Sequence, residues 1–149
     1  MENILVSSCL IGAPCRYDGT GCLTDKLQIL MKHFNLVSAC AECMGGLPTP
    51  RTPSERVGNK ILAKDGKDVT LEFHRGADRV VEFAKSTKCK FAILKEKSPS
   101  CGTQKVYDGS FTGKVVPGQG VLAEKLRANG IECYSDEQID EVLKIYKKL

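Results

Sequence analysis

Short apolar runs alternate along the chain with longer amphipathic segments, and this alternation is the first guide to the fold. Ile4-Leu5-Val6, Leu36-Val37-Ser38-Ala39, Phe91-Ala92-Ile93-Leu94 and Ile131-Glu132-Cys133-Tyr134 are brief, rich in strand-favouring side chains and bounded by polar or turn-forming residues, which predicts strands. Between them, apolar positions recur at helical spacing: Leu23, Leu27, Leu30 and Met31, then Phe73, Ala77, Val80, Val81 and Ala84, then Val121, Leu122 and Leu126. The first set predicts a helix of about three turns capped near Thr24. Thr70 caps the second, Gly118 to Gly120 open the third, and Ser135 caps a final helix from Asp136 to Lys148. Parallel neighbours need crossover connections, and helices supply them. The expected fold is therefore α/β, a three-layer Rossmann-like sandwich around a mainly parallel sheet of four or more strands.

Two excursions interrupt the alternation. Residues 52–70 carry polar turns and predict a flap, with a small hairpin over Ile61 to Val69 turning at Asp65-Gly66. Val106 to Val116 alternates about a central Asp108-Gly109 and reads as a second hairpin. Cys40 to Arg51 holds so many breakers that irregular structure is expected.

A length of 149 residues suits one domain, taken as 1–149. The net charge of +4 is compatible with an anionic small molecule. Its lysines are dispersed, with one cluster at Lys144, Lys147 and Lys148 where cations suit a helix end, so no nucleic-acid stripe is indicated. Met1-Glu2-Asn3 leads straight into the first apolar run, and no window approaches a membrane span, so a cytoplasmic protein without a membrane partner is expected. Eight cysteines in a reducing compartment point to metal, cluster or catalytic thiol rather than to a disulfide framework.

Three of these cysteines are placed alike. Cys9, Cys40 and Cys101 each follow a predicted strand, which sets them on one edge of the sheet, where open α/β sheets bind ligands. Convergence of thiols from distant positions predicts a shared metal or cluster site. Cys101 stands on a shaped loop, because Pro99 and Gly102 constrain Ser98-Pro99-Ser100-Cys101-Gly102 from both sides. Cys89, Cys133 and Cys22 read as packing residues, and Cys15 as structural support beside Cys9. A rival reading is the phosphate loop of low-molecular-weight cysteine phosphatases, from Cys9 to Arg16. Six residues separate thiol and arginine here where that loop has five, Tyr17 replaces the usual hydroxyl residue, and no Asp-Pro pair follows as general acid.

Taken together, Ser8-Cys9-Leu10, Cys15-Arg16-Tyr17-Asp18-Gly19, Cys40-Ala41-Glu42, Gly45-Gly46-Leu47-Pro48-Thr49-Pro50-Arg51, Ser98-Pro99-Ser100-Cys101-Gly102 and Tyr107-Asp108-Gly109-Ser110-Phe111 resemble the thiouracil desulfidase (TudS) family over nearly the whole chain. The resemblance implies a [4Fe-4S] cluster held by Cys9, Cys40 and Cys101 with one iron left open, and non-redox removal of sulfur from a thiolated uracil such as 2-thiouracil, 4-thiouracil or 4-thiouridine monophosphate. It assigns acid/base roles to Glu42 and Ser98. Arg16, Arg51, Lys95 and Lys105 are candidate substrate contacts, suited to a phosphate if the substrate is a nucleotide. Two features depart from the family pattern: Ala41 stands where proline is usual, and Cys43 is extra. If Cys43 closed the fourth iron, a redox or storage cluster would be the better reading. A thiolate-ligated zinc is the other alternative.

Overall fold

A computed structural model describes residues 1–146. Its central sheet has four parallel strands, β1 (Asn3–Ser7), β2 (Asn35–Ala39), β5 (Phe91–Leu94) and β8 (Glu132–Ser135), in the order β2-β1-β5-β8. Side chains alternate across its pleat and build two cores. Ile4, Val6, Phe91 and Ile93 meet α1 (Lys26–Met31) and α5 (Ile139–Ile145), whereas Leu5, Ala92, Leu94 and Cys133 meet α3 (Thr70–Ser86) and α4 (Val121–Ala128). Helices cover both faces, as the sandwich topology requires.

The helices owe their stability mainly to these faces. Six residues of α1 are far too few to stand alone in water, and the helix is held by Leu27 and Leu30, each worth roughly 1.5–3 kcal/mol when buried. It is also shorter than its apolar spacing predicts. Leu23 and Met31 are exposed, the helix begins only at Lys26, and Thr24 contributes its carbonyl to Leu27 N–H rather than a side-chain cap. Leu23 and Met31 continue the apolar spacing but have no core to face. On α3, Phe73, Ala77, Val80, Val81 and Ala84 are all buried, as expected. Thr70 lies inside this helix rather than capping it: Asp68 Oδ1 accepts Thr70 N–H, and Thr70 Oγ1 accepts Ile61 N–H.

Three further segments differ from expectation. Ala41–Met44 forms a short helix, α2, inside the stretch read as irregular. The flap does contain a hairpin, but its paired strands are β3 (Ser54–Val57) and β4 (Lys60–Ala63), which turn at Gly58-Asn59. Asp65-Gly66 makes a second, tighter turn closed by Gly66 N–H to Ala63 O at 2.8 Å. The last helix opens with a 3-10 turn, Asp136–Gln138, and Ser135 forms a capping box with Gln138. Lys147 and Lys148, read as its end, lie outside the described residues. The second hairpin forms as expected from β6 (Lys105–Tyr107) and β7 (Val115–Pro117).

Among the described residues, no helix is long and apolar enough to cross a membrane. The strand order reverses between β1 and β5, so the crevice at their carboxyl ends is the topological switch point where ligands of such sheets bind.

Candidate active site

A cavity of about 460 Å³ opens at that crevice. Its wall includes Cys9, from the 3-10 turn Ser8–Ile11 after β1, Cys40, between β2 and α2, and Cys101, from the loop after β5. Glu42 and Ser98 line the same space. Positions 92 residues apart in sequence, from 9 to 101, are thus joined by the parallel sheet.

Each thiol is carried on backbone that has little freedom. Behind Cys40 and Glu42, α2 lies directly on α3: a Cβ added at Gly76 would stand 1.8 Å from Ala41 O, so only glycine permits this approach. Arg75 donates twice to Gly45 O, at 3.1 and 2.7 Å, and Arg79 donates to Met44 O. These bonds satisfy carbonyls at the end of a helix only one turn long. Around Cys101, Ser98 Oγ accepts from both Ser100 N–H and Cys101 N–H at 3.1 Å. The loop then presses on the start of α4, where a Cβ at Gly120 would lie 2.4 Å from Ser100 O.

Beneath the loop lies Glu96, 2% exposed. Its Oε1 accepts N–H bonds from Thr103 at 2.7 Å, Gln104 at 3.1 Å, Lys105 at 3.3 Å and Lys97 at 3.4 Å, while Oε2 accepts the Thr103 hydroxyl at 2.8 Å. Burial opposes its charge, but these donors outweigh burial and hold its pKa below the ordinary value. Glu42 is the converse. Burial raises its pKa, and Arg51, the nearby cation that donates Nε–H to Oε1 at 3.1 Å, only partly opposes the rise.

The thiols themselves are pushed upward. Burial raises Cys9 and Cys40 strongly, and neighbouring sulfurs add to it, Cys101 and Cys22 for Cys9, Cys15 and Cys43 for Cys40. Burial lifts Cys101 to about 11, against hydroxyls including Ser7. Several sulfurs held on one wall, with Arg51 as the cation beside Cys15, Cys40 and Cys43, form a donor set suited to a thiophilic metal group, which favours the thiolates. Among the described residues, no three His, Cys, Asp or Glu side chains gather closely enough for a single ion. Three cysteines brought to one wall from the ends of β1, β2 and β5 are the kind of ligand set that an iron–sulfur cluster takes.

Of the four basic residues expected near substrate, Arg16, Arg51 and Lys95 line the cavity. Arg51 is engaged by the protein: besides Glu42, its NH1 group donates to Pro48 O and Thr49 Oγ1, and its NH2 group to Cys15 O. It is placed to position Glu42 rather than to grip a ligand. Lys95 Nζ lies 3.6 Å from Asp136, and the Arg16 guanidinium lies 6.0 Å from the Tyr17 ring centroid. Lys105 is not brought to the cavity. Its Nζ pairs with Glu137 at 2.9 Å, on the 3-10 turn that opens the last helix. Cys15 lines the cavity, whereas Cys43 stands off its wall, 3.8 Å from Cys15 O and 3.5 Å from Thr49 Oγ1. Cys89 and Cys133 are buried in the α3/α4 core.

Two carboxylates at the cavity escaped sequence reading, Glu55 and Glu96. Neither stands in a pattern that separates a buried carboxylate from a solvated one. Glu55, on β3, accepts N–H bonds from Gly109 at 2.9 Å and Phe111 at 3.2 Å, tying the flap to the second hairpin. Phe111 has a φ of 59°, a left-handed conformation costing about 1–3 kcal/mol in a non-glycine residue and kept only where the surroundings enforce it.

The fold and wall together define a class: a doubly wound α/β scaffold bearing a thiol-lined ligand crevice at its switch point. Residues 4–138 match the family described as 2-thiouracil desulfurase, and the chain belongs to that family. It is 39% identical over 150 aligned residues to the uncharacterized protein YbbK of Bacillus subtilis (strain 168), covering 94% of this chain and 99% of that one. A solved structure, the [4Fe-4S]-dependent thiouracil desulfidase TudS, superposes with a TM-score of 0.92 at 39% identity, covering 100% of both chains.

Proposed function

We propose that this chain is a desulfidase that converts a thiolated uracil to its oxo form with a [4Fe-4S] cluster held by Cys9, Cys40 and Cys101. The observation that carries this reading is the presence of those thiols, Glu42 and Ser98 on one cavity wall. The cluster, when bound, supplies an iron with a free coordination position, a soft Lewis acid suited to sulfur. In the overall reaction, water replaces sulfur at the ring carbon: one C=S bond is lost, one C=O bond forms, hydrogen sulfide leaves, and no electrons are transferred.

The protein's own groups handle protons and position. Arg51 occupies Glu42 Oε1, which leaves Oε2 without a protein donor among the described residues and available to take a proton from water. The raised pKa of Glu42 makes it a better base than a solvated carboxylate. Ser98 Oγ already accepts two N–H bonds, so its lone pairs are engaged and its O–H is the group left to donate, to the Cys101 sulfur beside it or, with substrate in place, to the ring or the departing sulfur. Arg16 and Lys95 would contact a phosphate if the substrate is a nucleotide. The number of reduced thiols supports operation in the cytoplasm.

The test is anaerobic reconstitution with iron and sulfide, followed by incubation with 2-thiouracil and with 4-thiouridine monophosphate. The wild type is expected to bind about four irons per chain and to release sulfide as the thiocarbonyl absorbance falls. Cys9→Ser, Cys40→Ser and Cys101→Ser each lose iron and activity, whereas Cys43→Ser keeps both. Loss of iron from Cys43→Ser, or a brown protein that releases no sulfide from either substrate, would replace this reading with a redox or storage cluster.

A further inference from the structure

Three aromatic residues line the cavity, Tyr17, Tyr107 and Phe111, and only one is built into place by a dedicated buried group. Tyr17 is 40% exposed and its ring is shared with the Arg16 guanidinium. Tyr107 belongs to β6 and follows its register. Phe111 instead stands in a left-handed conformation, with its N–H held by Glu55, a carboxylate 8% exposed that also accepts the Gly109 N–H. The loop is closed from its other side by Asp108 Oδ1, which accepts Ser110 N–H at 2.9 Å and the Ser110 hydroxyl. Backbone strain maintained by a buried carboxylate fixes this residue before any ligand arrives.

We propose that Phe111 is the aromatic wall on which the flat ring of the substrate stacks, and that Glu55 is the positioning residue that sets it there. This rests on the desulfidase reading. A thiolated pyrimidine offers a polarisable π-face, and an aromatic side chain is the group that binds such a face without regard to ring substituents. Stacking grips substrate and oxo product alike, so it governs affinity rather than the chemical step.

The experiment uses cluster-loaded protein and two readouts, steady-state turnover of 2-thiouracil and calorimetric binding of uracil. Phe111→Leu is expected to raise both KM for 2-thiouracil and Kd for uracil about 5- to 50-fold, with kcat changed by no more than about twofold. Phe111→Tyr, which keeps the ring, restores the affinity. Glu55→Leu removes the acceptor and reproduces the rise in KM and Kd with Phe111 still present, while Glu55→Gln, which keeps an acceptor oxygen, recovers most of it. Should Phe111→Leu fail to fold or take up iron, the Glu55 pair supplies the same reading. Unchanged KM and Kd in Phe111→Leu, or in Glu55→Leu, with wild-type turnover intact overturns this inference alone. A wild type that binds iron but releases sulfide from neither 2-thiouracil nor 4-thiouridine monophosphate and does not bind uracil overturns the desulfidase reading and this inference with it.

Discussion

Glu42 and Glu96 line the same cavity, yet their surroundings push them in opposite directions. Glu96 collects five donors from the loop it supports, and its charge is stabilised. Glu42 is half-buried with a single charged partner, and desolvation makes it hold its proton more tightly than a solvated carboxylate does. A carboxylate saturated with hydrogen bonds has no capacity left for substrate and serves as framework. One left with a free oxygen and a raised pKa is placed to exchange a proton. Number of donors, rather than burial, separates the two roles.

The largest effect should come from Glu42→Gln. The amide oxygen still accepts from Arg51, so the loop is kept, but the group that takes a proton is gone. We expect kcat to fall about 10²- to 10⁴-fold with iron content and melting temperature close to wild type. A fall of less than about tenfold would erase the distinction drawn between the two carboxylates. Arg51→Lys sharpens it: lysine cannot reproduce the planar set of donors that reaches Glu42, Pro48, Thr49 and Cys15 together, so a smaller loss of kcat is expected there.

Glu96→Gln should act on stability first. Gln keeps one acceptor oxygen but loses the charge that strengthens all five bonds and presents an N–H₂ group to the Thr103 hydroxyl, at a cost of about 1–3 kcal/mol. Its folded pKa lies below the ordinary value of 4.5. The stabilisation it contributes is therefore complete above that value and lost as pH falls through the folded pKa. Denaturant unfolding from pH 7 downward should show the wild type losing its advantage over Glu96→Gln below about pH 4.5. An advantage that persists unchanged to pH 3 would mean that the charge is not what holds the loop.

The sheet was legible because its cause is local. Runs such as Phe91 to Leu94 must be buried on both faces, and the alternation with helices leaves few topologies for them. The convergence of Cys9, Cys40 and Cys101 on one crevice followed from the same topology. What escaped was set by partners distant in sequence. Nothing near Leu23 or Met31 reveals that they face no core. Nothing around Cys40 reveals that Gly76, on another helix, allows α2 to form by letting Ala41 O approach it. Glu96 was invisible as a buried group because its donors lie at 97 and 103–105, in a loop whose path depends on it. A positive charge shows in sequence, but its direction does not, and so Arg51 and Lys105 were grouped with residues whose side chains go elsewhere.

Lys105 is where the smallest effect is expected. Its N–H belongs to the Glu96 network at 3.3 Å, while its side chain leaves the cavity for Glu137, in a partly exposed pair that solvent screens. Lys105→Ala preserves the backbone donor and removes only that pair. KM and kcat for 2-thiouracil, and the KM for 4-thiouridine monophosphate in particular, should stay within about twofold of wild type. Arg16→Ala and Lys95→Ala, altering side chains that do line the cavity, should raise the nucleotide KM more than the free-base KM. If Lys105→Ala instead weakened the nucleotide selectively, the loop over Glu96 would have to reorient its side chain when substrate binds, and Glu96 would then no longer be the fixed partner of the pair.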